Sequence, residues 1–224
     1  MQRSAVIKLA LSRFVLVILI LMAAFFLPAG TFNYWQAWVF MAALLIPLCI
    51  VAAYLIKNDP GLLERRMRTK ETAKEQQVIV LVSSLFIILE FVLPGFDIRF
   101  GWSNVPVWMV LAADVLVLAA YFFILQVFRT NQYTSRVVEV EKGQSVISTG
   151  PYAIVRHPMY FGMVFMYVFA PLALGSFWAM IPGAMIIPTL IFRLLNEEKI
   201  LEKELPGYKE YQQKVKYHLF PGIW

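Results

Sequence analysis

The chain has 224 residues, of which 60% are hydrophobic and only 15% charged, against roughly 25% charged residues in an ordinary soluble domain. That composition excludes a water-soluble globular core. The formal net charge of +6 and a pI near 9.4 would suit a nucleic-acid binder, but the cations fall between hydrophobic runs rather than on one face, which is the pattern of membrane topology and gives no reason to expect a nucleic-acid partner.

Taken in chain order, the first hydrophobic run, Leu9 to Leu27, follows Arg3 and Lys8. No small-x-small cleavage site follows it, so it reads as a retained first span rather than a signal peptide. Runs at about 36–56, 78–94 and 105–128 complete four segments near the roughly 20 residues that a bilayer requires. Two more, about 158–175 and 178–195, form a tight hairpin around Gly175, Ser176 and Phe177. The hairpin is interrupted by Pro171, Pro182 and Pro188, so kinking or incomplete crossing is expected there. The fold class is therefore an all-α integral membrane protein with about six transmembrane helices, including a C-terminal helical hairpin, and a cytosolic C-terminal catalytic segment. Two regions are expected: 1–128, a four-span membrane half, and 129–224, the hairpin with its tail.

Cations orient the set. Lys57, Arg65, Arg66, Arg68, Lys70 and Lys74 occupy the second connection, Arg129, Arg136, Lys142 and Arg156 the fourth, and the tail is lysine-rich. The opposite connections hold only Arg99, while Trp35, Trp102 and Trp108 fit an interfacial belt. Both termini are expected in the cytosol. The charged stretch Asp59 to Glu75 is expected to be a solvated loop, and Thr130 to Ser148 a short ordered connector.

The chemistry concentrates late in the chain. Gly150 and Pro151 supply a turn, and Pro158 suits the first turn of a helix, where a missing N–H costs nothing. Arg156 and His157 thus stand at a membrane-entry helix N-terminus. The hairpin goes out and returns over similar lengths, which brings Glu197 and Glu198 back beside them. Such a set suits S-adenosylmethionine. Arg, His and helix N–H groups can hold its carboxylate, a glutamate its amine or ribose, and Tyr152 or Tyr160 its sulfonium by cation–π attraction. Plainer readings compete: Arg156 and His157 as interfacial anchors, Glu197 as an i,i+4 partner of Arg193, and Tyr208, Tyr211 and Tyr217 as an amphipathic tail. Glu90 and Asp114, acids in or near spans, are expected to be paired or interfacial. The single cysteine, Cys49, and the two histidines, His157 and His218, provide no metal centre.

The string Arg156-His157-Pro158-Met159-Tyr160-Phe161-Gly162, followed by Glu197-Glu198-Lys199-Ile200-Leu201, resembles the RHPxYxG and EExxL pair of the isoprenylcysteine carboxyl methyltransferase family, which is itself similar to the phospholipid methyltransferases. The resemblance covers roughly residues 145–224, and Pro206-Gly207-Tyr208, Tyr211, Val215, Leu219 and Pro221 are similar to the tail of prokaryotic members. It implies transfer of a methyl group from S-adenosyl-L-methionine to a lipophilic acceptor entering from the bilayer, a prenylcysteine-like carboxylate foremost. It also implies a cofactor pocket of Tyr152, His157, Tyr160 and Glu198, closed by the tail with Tyr208 and Tyr211, and Arg156 and Glu197 as catalytic residues near the acceptor. His218 departs from the pattern, since many relatives carry arginine there. The resemblance further implies a prokaryotic cytoplasmic membrane, or the endoplasmic reticulum in a eukaryote, with the active site facing the cytosol. Two other acceptors, a phospholipid or another lipid amine or thiol, stay open. So does an NADPH-dependent membrane reductase of the sterol type, which shares a similar turn, although the paired acids would repel the 2′-phosphate of NADPH.

Overall fold

The structure, a computed structural model, describes residues 3–69, 71 and 74–224; Lys70 and the side chain of Arg3, two of the cations noted above, lie outside the described set. The helices are α1 (Arg3–Ala29), α2 (Trp35–Asn58), α3 (Pro60–Arg66), α4 (Lys74–Phe100), α5 (Val107–Thr130), α6 (Pro158–Ala173), α7 (Met180–Glu204) and α8 (Tyr208–Lys214), with a 3-10 turn at Gly150–Ala153 before α6. Among the described residues there is no strand.

Five helices, α1, α2, α4, α5 and α7, are long and apolar enough to cross a membrane. The sixth predicted span is shorter: α6 has 16 residues, about 24 Å at about 1.5 Å per residue, against about 30 Å of hydrocarbon. It nonetheless runs the depth of the bundle. Beyond its C-terminal end the Leu174 carbonyl accepts from the Tyr34 hydroxyl at 2.5 Å, and Ser176 donates to Asp97 at 2.5 Å. The hairpin tip therefore shares a layer with the α1–α2 and α4–α5 connections. Trp35, Trp102 and Trp108 are exposed around that layer, and Leu16, Leu19, Leu81, Ile88, Val115 and Phe192 are exposed along the bundle sides, the surface that lipid covers.

Two close approaches set the packing. A Cβ on Gly162 would stand 2.6 Å from Ile124 Cγ1, so its absence lets α6 lie against α5; a Cβ on Gly95 would stand 2.7 Å from the Phe25 carbonyl of α1. This second contact explains a departure from expectation. The span predicted to stop at residue 94 continues through Pro94 and Gly95 to Phe100, because the turn of helix around Gly95 is packed on α1.

Within the stretch Asp59 to Glu75, residues 59–67 are not a solvated loop. Asp59 caps α3, its Oδ1 accepting from the Leu62 N–H at 2.8 Å, and Pro60 follows as the first helical residue. Leu62 and Leu63 are buried with Val6, Val51, Leu55, Ile124 and Phe128. Burying two leucines at about 1.5–3 kcal/mol each pins α3 onto the bundle. Arg13 of α1 donates to the Met67 carbonyl just beyond it. The 131–146 connector is ordered against α3: Arg65 donates to Gln132 O at 2.5 Å, Arg66 to Ser135 O at 3.0 Å, and Arg68 to Glu139 and Glu141 at 2.5 and 2.6 Å.

Candidate active site

The N-terminal end of α6 is tied to the tail. His157 is the N-cap residue and Pro158 opens the helix, as the motif spacing predicts. The backbone N–H groups of Arg156 and His157 donate to the carbonyls of Tyr217 and His218 at 2.9 and 3.0 Å. These two donors, adjacent to the predicted carboxylate-holding helix end, are thereby spent on the chain itself.

The returning helix α7 supplies the counter-charge. Glu198 Oε1 lies 3.0 Å from His157 Nε2 and 3.2 Å from Arg156 Nε, and its Oε2 lies 3.3 Å from His218 Nε2. Arg156 also donates from Nη2 to His218 Nε2 at 2.6 Å. Burial lowers the His218 pKa, against the pull of Glu198 and with the push of Arg156. The ring is therefore neutral and accepts from the guanidinium, and the 3.3 Å approach to Glu198 is proximity rather than a charged pair. Arg156, His157 and Glu198 are all buried.

One residue along, Glu197 faces the other way. Its Oε2 accepts from the Tyr160 hydroxyl at 2.7 Å, and that hydroxyl accepts from Arg193 Nε at 3.2 Å. Tyr160 thus stands between the two members of the expected i,i+4 pair. Arg193 is held elsewhere as well, donating to Glu71 at 2.6 Å and to the Arg136 carbonyl at 2.7 Å. Tyr211 donates to the Tyr152 carbonyl at 2.7 Å. The Tyr208 hydroxyl is buried without a hydrogen-bond partner among the described residues.

These side chains line one end of a cavity of about 320 Å³, within the roughly 300–1,000 Å³ range of small-molecule sites. Tyr152, Arg156, His157, Tyr160, Glu197, Tyr208 and Tyr211 all contribute to its wall, and Glu198 does not. Glu198 sits behind Arg156 and His157 as their anchor. Toward the bundle interior the wall is mainly apolar, formed by Val80 and Ile87 of α4, Met163 of α6, and Ile186 and Leu190 of α7, with Ser83 and Ser84 of α4 and Tyr167 of α6 among them. Burial pushes the Tyr152 hydroxyl up to about 12. It raises those of Tyr208 and Tyr211 further, with Glu198 and Glu197 adding to the shift at Tyr208 and Tyr152 and Glu198 adding to it at Tyr211. All three stay protonated at neutral pH, so they present neutral aromatic rings to the cavity.

Tyr208 and Tyr211 are buried, while Tyr217 is 41% exposed; the tail helix α8 packs Tyr208, Tyr211 and Val215 with Leu205, over Val140 and Val146 of the connector. It is not an amphipathic surface helix. Glu90 and Asp114 have no pairing partner: both are buried and their carboxylate oxygens lack hydrogen bonds among the described residues.

Among the cavity residues that sequence reasoning left unassigned are Arg66, Glu71 and Arg136. Topology had absorbed the two cations as cytosolic charge. The available signal was the Asp59-Pro60 cap-and-N1 pair before Leu62 and Leu63, which marks a short helix that carries Arg66 inward.

A comparison with curated proteins returns no match to this chain. Residues 108–206, which hold Tyr152, Arg156, His157, Tyr160, Glu197 and Glu198, match the family model of the phospholipid methyltransferases.

Proposed function

We propose that the protein is an S-adenosylmethionine-dependent methyltransferase acting on a lipophilic acceptor, with a prenylcysteine-like carboxylate as the substrate. The observation that carries this reading is the two-ended cavity. A polar end with one open-facing carboxylate, three neutral tyrosines and an anchored Arg–His pair runs into a mainly apolar end between α4, α6 and α7. The residues present fit the cofactor: the unpartnered Tyr208 hydroxyl and the second oxygen of Glu197 are free to meet its polar groups, and aromatic walls suit a sulfonium. When bound, the cofactor supplies a methyl group already activated by its positive sulfur.

The chain's own part is positioning and electrostatics. Tyr152, His157, Tyr160, Tyr208 and Tyr211 form the cofactor wall. Glu197, fixed by the Tyr160 hydroxyl, stands at the reacting end. Arg156 orients the acceptor carboxylate with the guanidinium face not engaged by His218, and Glu198 holds both Arg156 and His157 in place from behind. The apolar end seats the lipid chain, which enters from the bilayer. The match to the phospholipid methyltransferases supports a second reading, in which the acceptor is a phospholipid amine.

Titrating the purified chain with S-adenosylhomocysteine and, separately, with NADPH tests the proposal: saturable binding of the first and none of the second is expected. NADPH binding in its place would favour the reductase alternative. For the cytosolic orientation, single cysteines at Thr69 and Lys214, both exposed, should resist an impermeant thiol reagent in sealed cells, and efficient labelling of either would reverse the topology.

A further inference from the structure

We infer that Arg66 and Arg136 form an anion-binding subsite for the methyl acceptor, taking a carboxylate or phosphate carried by an amphiphile. The inference rests on the methyltransferase reading and names the acceptor's chemical class. Arg66 leaves α3 and lies over the Phe128 ring at 5.0 Å. Its Nη1 donates to Ser135 O at 3.0 Å and touches Met159 Sδ at 3.6 Å. No carboxylate pairs with it, nor with Arg136, among the described residues, and Met1, Gln2, Lys70, Thr72 and Ala73, which lie outside them, carry no acidic side chain. Both line the cavity.

The acids that share this wall are engaged in whole or in part: Glu71 is held by Arg193, Glu139 by Arg68, and Glu197 by Tyr160 through one oxygen. Burial first, and then the neighbouring Arg136, pulls the Arg66 guanidinium down to about 10, so desolvation is the main cost of the cation there and like charge the second. A cation held in a protein wall is expensive unless something pairs with it. The fork of a guanidinium matches carboxylate and phosphate oxygens, and Arg66 still has Nε and Nη2 to offer. The apolar side chains of the same wall, Ile87, Met163, Ile186 and Leu190, favour an amphiphilic acceptor over the cofactor as the carrier of that anion.

The test uses the full chain in nonionic micelles, titrated calorimetrically with hexadecanoate, hexadecyl phosphate, hexadecyltrimethylammonium and S-adenosylhomocysteine. The wild-type chain should bind the two anions at least about tenfold more tightly than the ammonium, and Arg66→Gln and Arg136→Gln should each lose about tenfold or more for the anions, the scale of a lost charged contact. S-adenosylhomocysteine affinity should stay within about threefold. Should Arg66→Gln fold poorly, Arg136→Gln, at an exposed position, carries the comparison. Equal binding of ammonium and anions, or unchanged anion affinity in Arg136→Gln, overturns the subsite. A parallel fall in S-adenosylhomocysteine affinity also overturns it, since the cations would then serve the cofactor's carboxylate. Wild-type chain that binds S-adenosylhomocysteine without preferring anions refutes only the subsite, whereas a wild-type chain that does not bind S-adenosylhomocysteine refutes the methyl-transfer reading as well.

Discussion

The two ends of the helix bundle each hold a buried carboxylate, and they hold it differently. At the end where the α6–α7 hairpin turns, Asp97 accepts from the Ser103 N–H and hydroxyl, both at 2.6 Å, and from Ser176 at 2.5 Å. Every donor there is neutral, and Asp97 lines no part of the site cavity. At the other end Glu198 faces Arg156, His157 and His218, and Glu197 opens onto a cavity with its second oxygen uncommitted. A buried acid by itself therefore marks a fastening as readily as a site. What separates the two ends is charged partners beside open volume.

The sharpest way to break that comparison is to change the charged end without removing its charge. Arg156→Lys keeps a cation but loses the fork. It should leave S-adenosylhomocysteine affinity within a few-fold and cut single-turnover methyl transfer by about 100-fold, the scale of a lost oriented contact near reacting atoms. If affinity and turnover fall together, Arg156 holds the cofactor's carboxylate instead.

Next in size is the anchor. Glu198→Gln leaves buried Arg156 without its charge partner and should lower unfolding stability by about 3 kcal/mol, as removal of one member of a buried pair does, and S-adenosylhomocysteine binding should weaken by about 1.5–3 kcal/mol as His157 loses its fixed orientation. Chemical denaturation beside calorimetry reads both. Unchanged values would return Arg156 and His157 to the role of interfacial anchors.

At the fastening end, Asp97→Asn should cost about 1.5–3 kcal/mol of stability through weakened hydrogen bonds. Methyl transfer per folded molecule should stay within about twofold, since the chemistry lies at the other end. A large loss of turnover in folded Asp97→Asn would erase the distinction between the two ends.

The smallest effect is one of pH. The folded chain disfavours the protonated form of His218, so the unfolded chain binds more protons below the ordinary histidine pKa of about 6.5. Stability should be fully present above that pH and decline as pH falls below it. His218→Asn should reduce the slope of melting temperature against pH between about 6.5 and the lower folded-state pKa, and an identical slope would remove His218 from the network.

Much of the charged end was legible in the sequence because its parts are local. Pro158 after His157 fixes a helix start, and a hairpin of matched arms must return Glu197 and Glu198 to it. The division of labour between these two glutamates was not legible. It depends on the rotation of α7, which turns Glu197 to the cavity and Glu198 toward Arg156. Arg66 was hidden for a different reason: positive charge near a span has a sufficient topological explanation, and only the burial of Leu62 and Leu63 turns α3 inward. Asp97 was missed because Pro94 and Gly95 read as a stop, whereas Gly95 there serves the contact with α1.

The central claim, that the charged end transfers methyl groups to lipid, is tested most directly by methyl transfer itself. Purified chain in vesicles made from a lipid extract of its source organism, supplied with S-adenosylmethionine labelled in the methyl group, should move label into organic-extractable product, and Glu197→Gln should reduce the rate by about 100-fold. Label that never leaves the aqueous phase, with a wild-type chain shown to bind S-adenosylhomocysteine, would contradict the account.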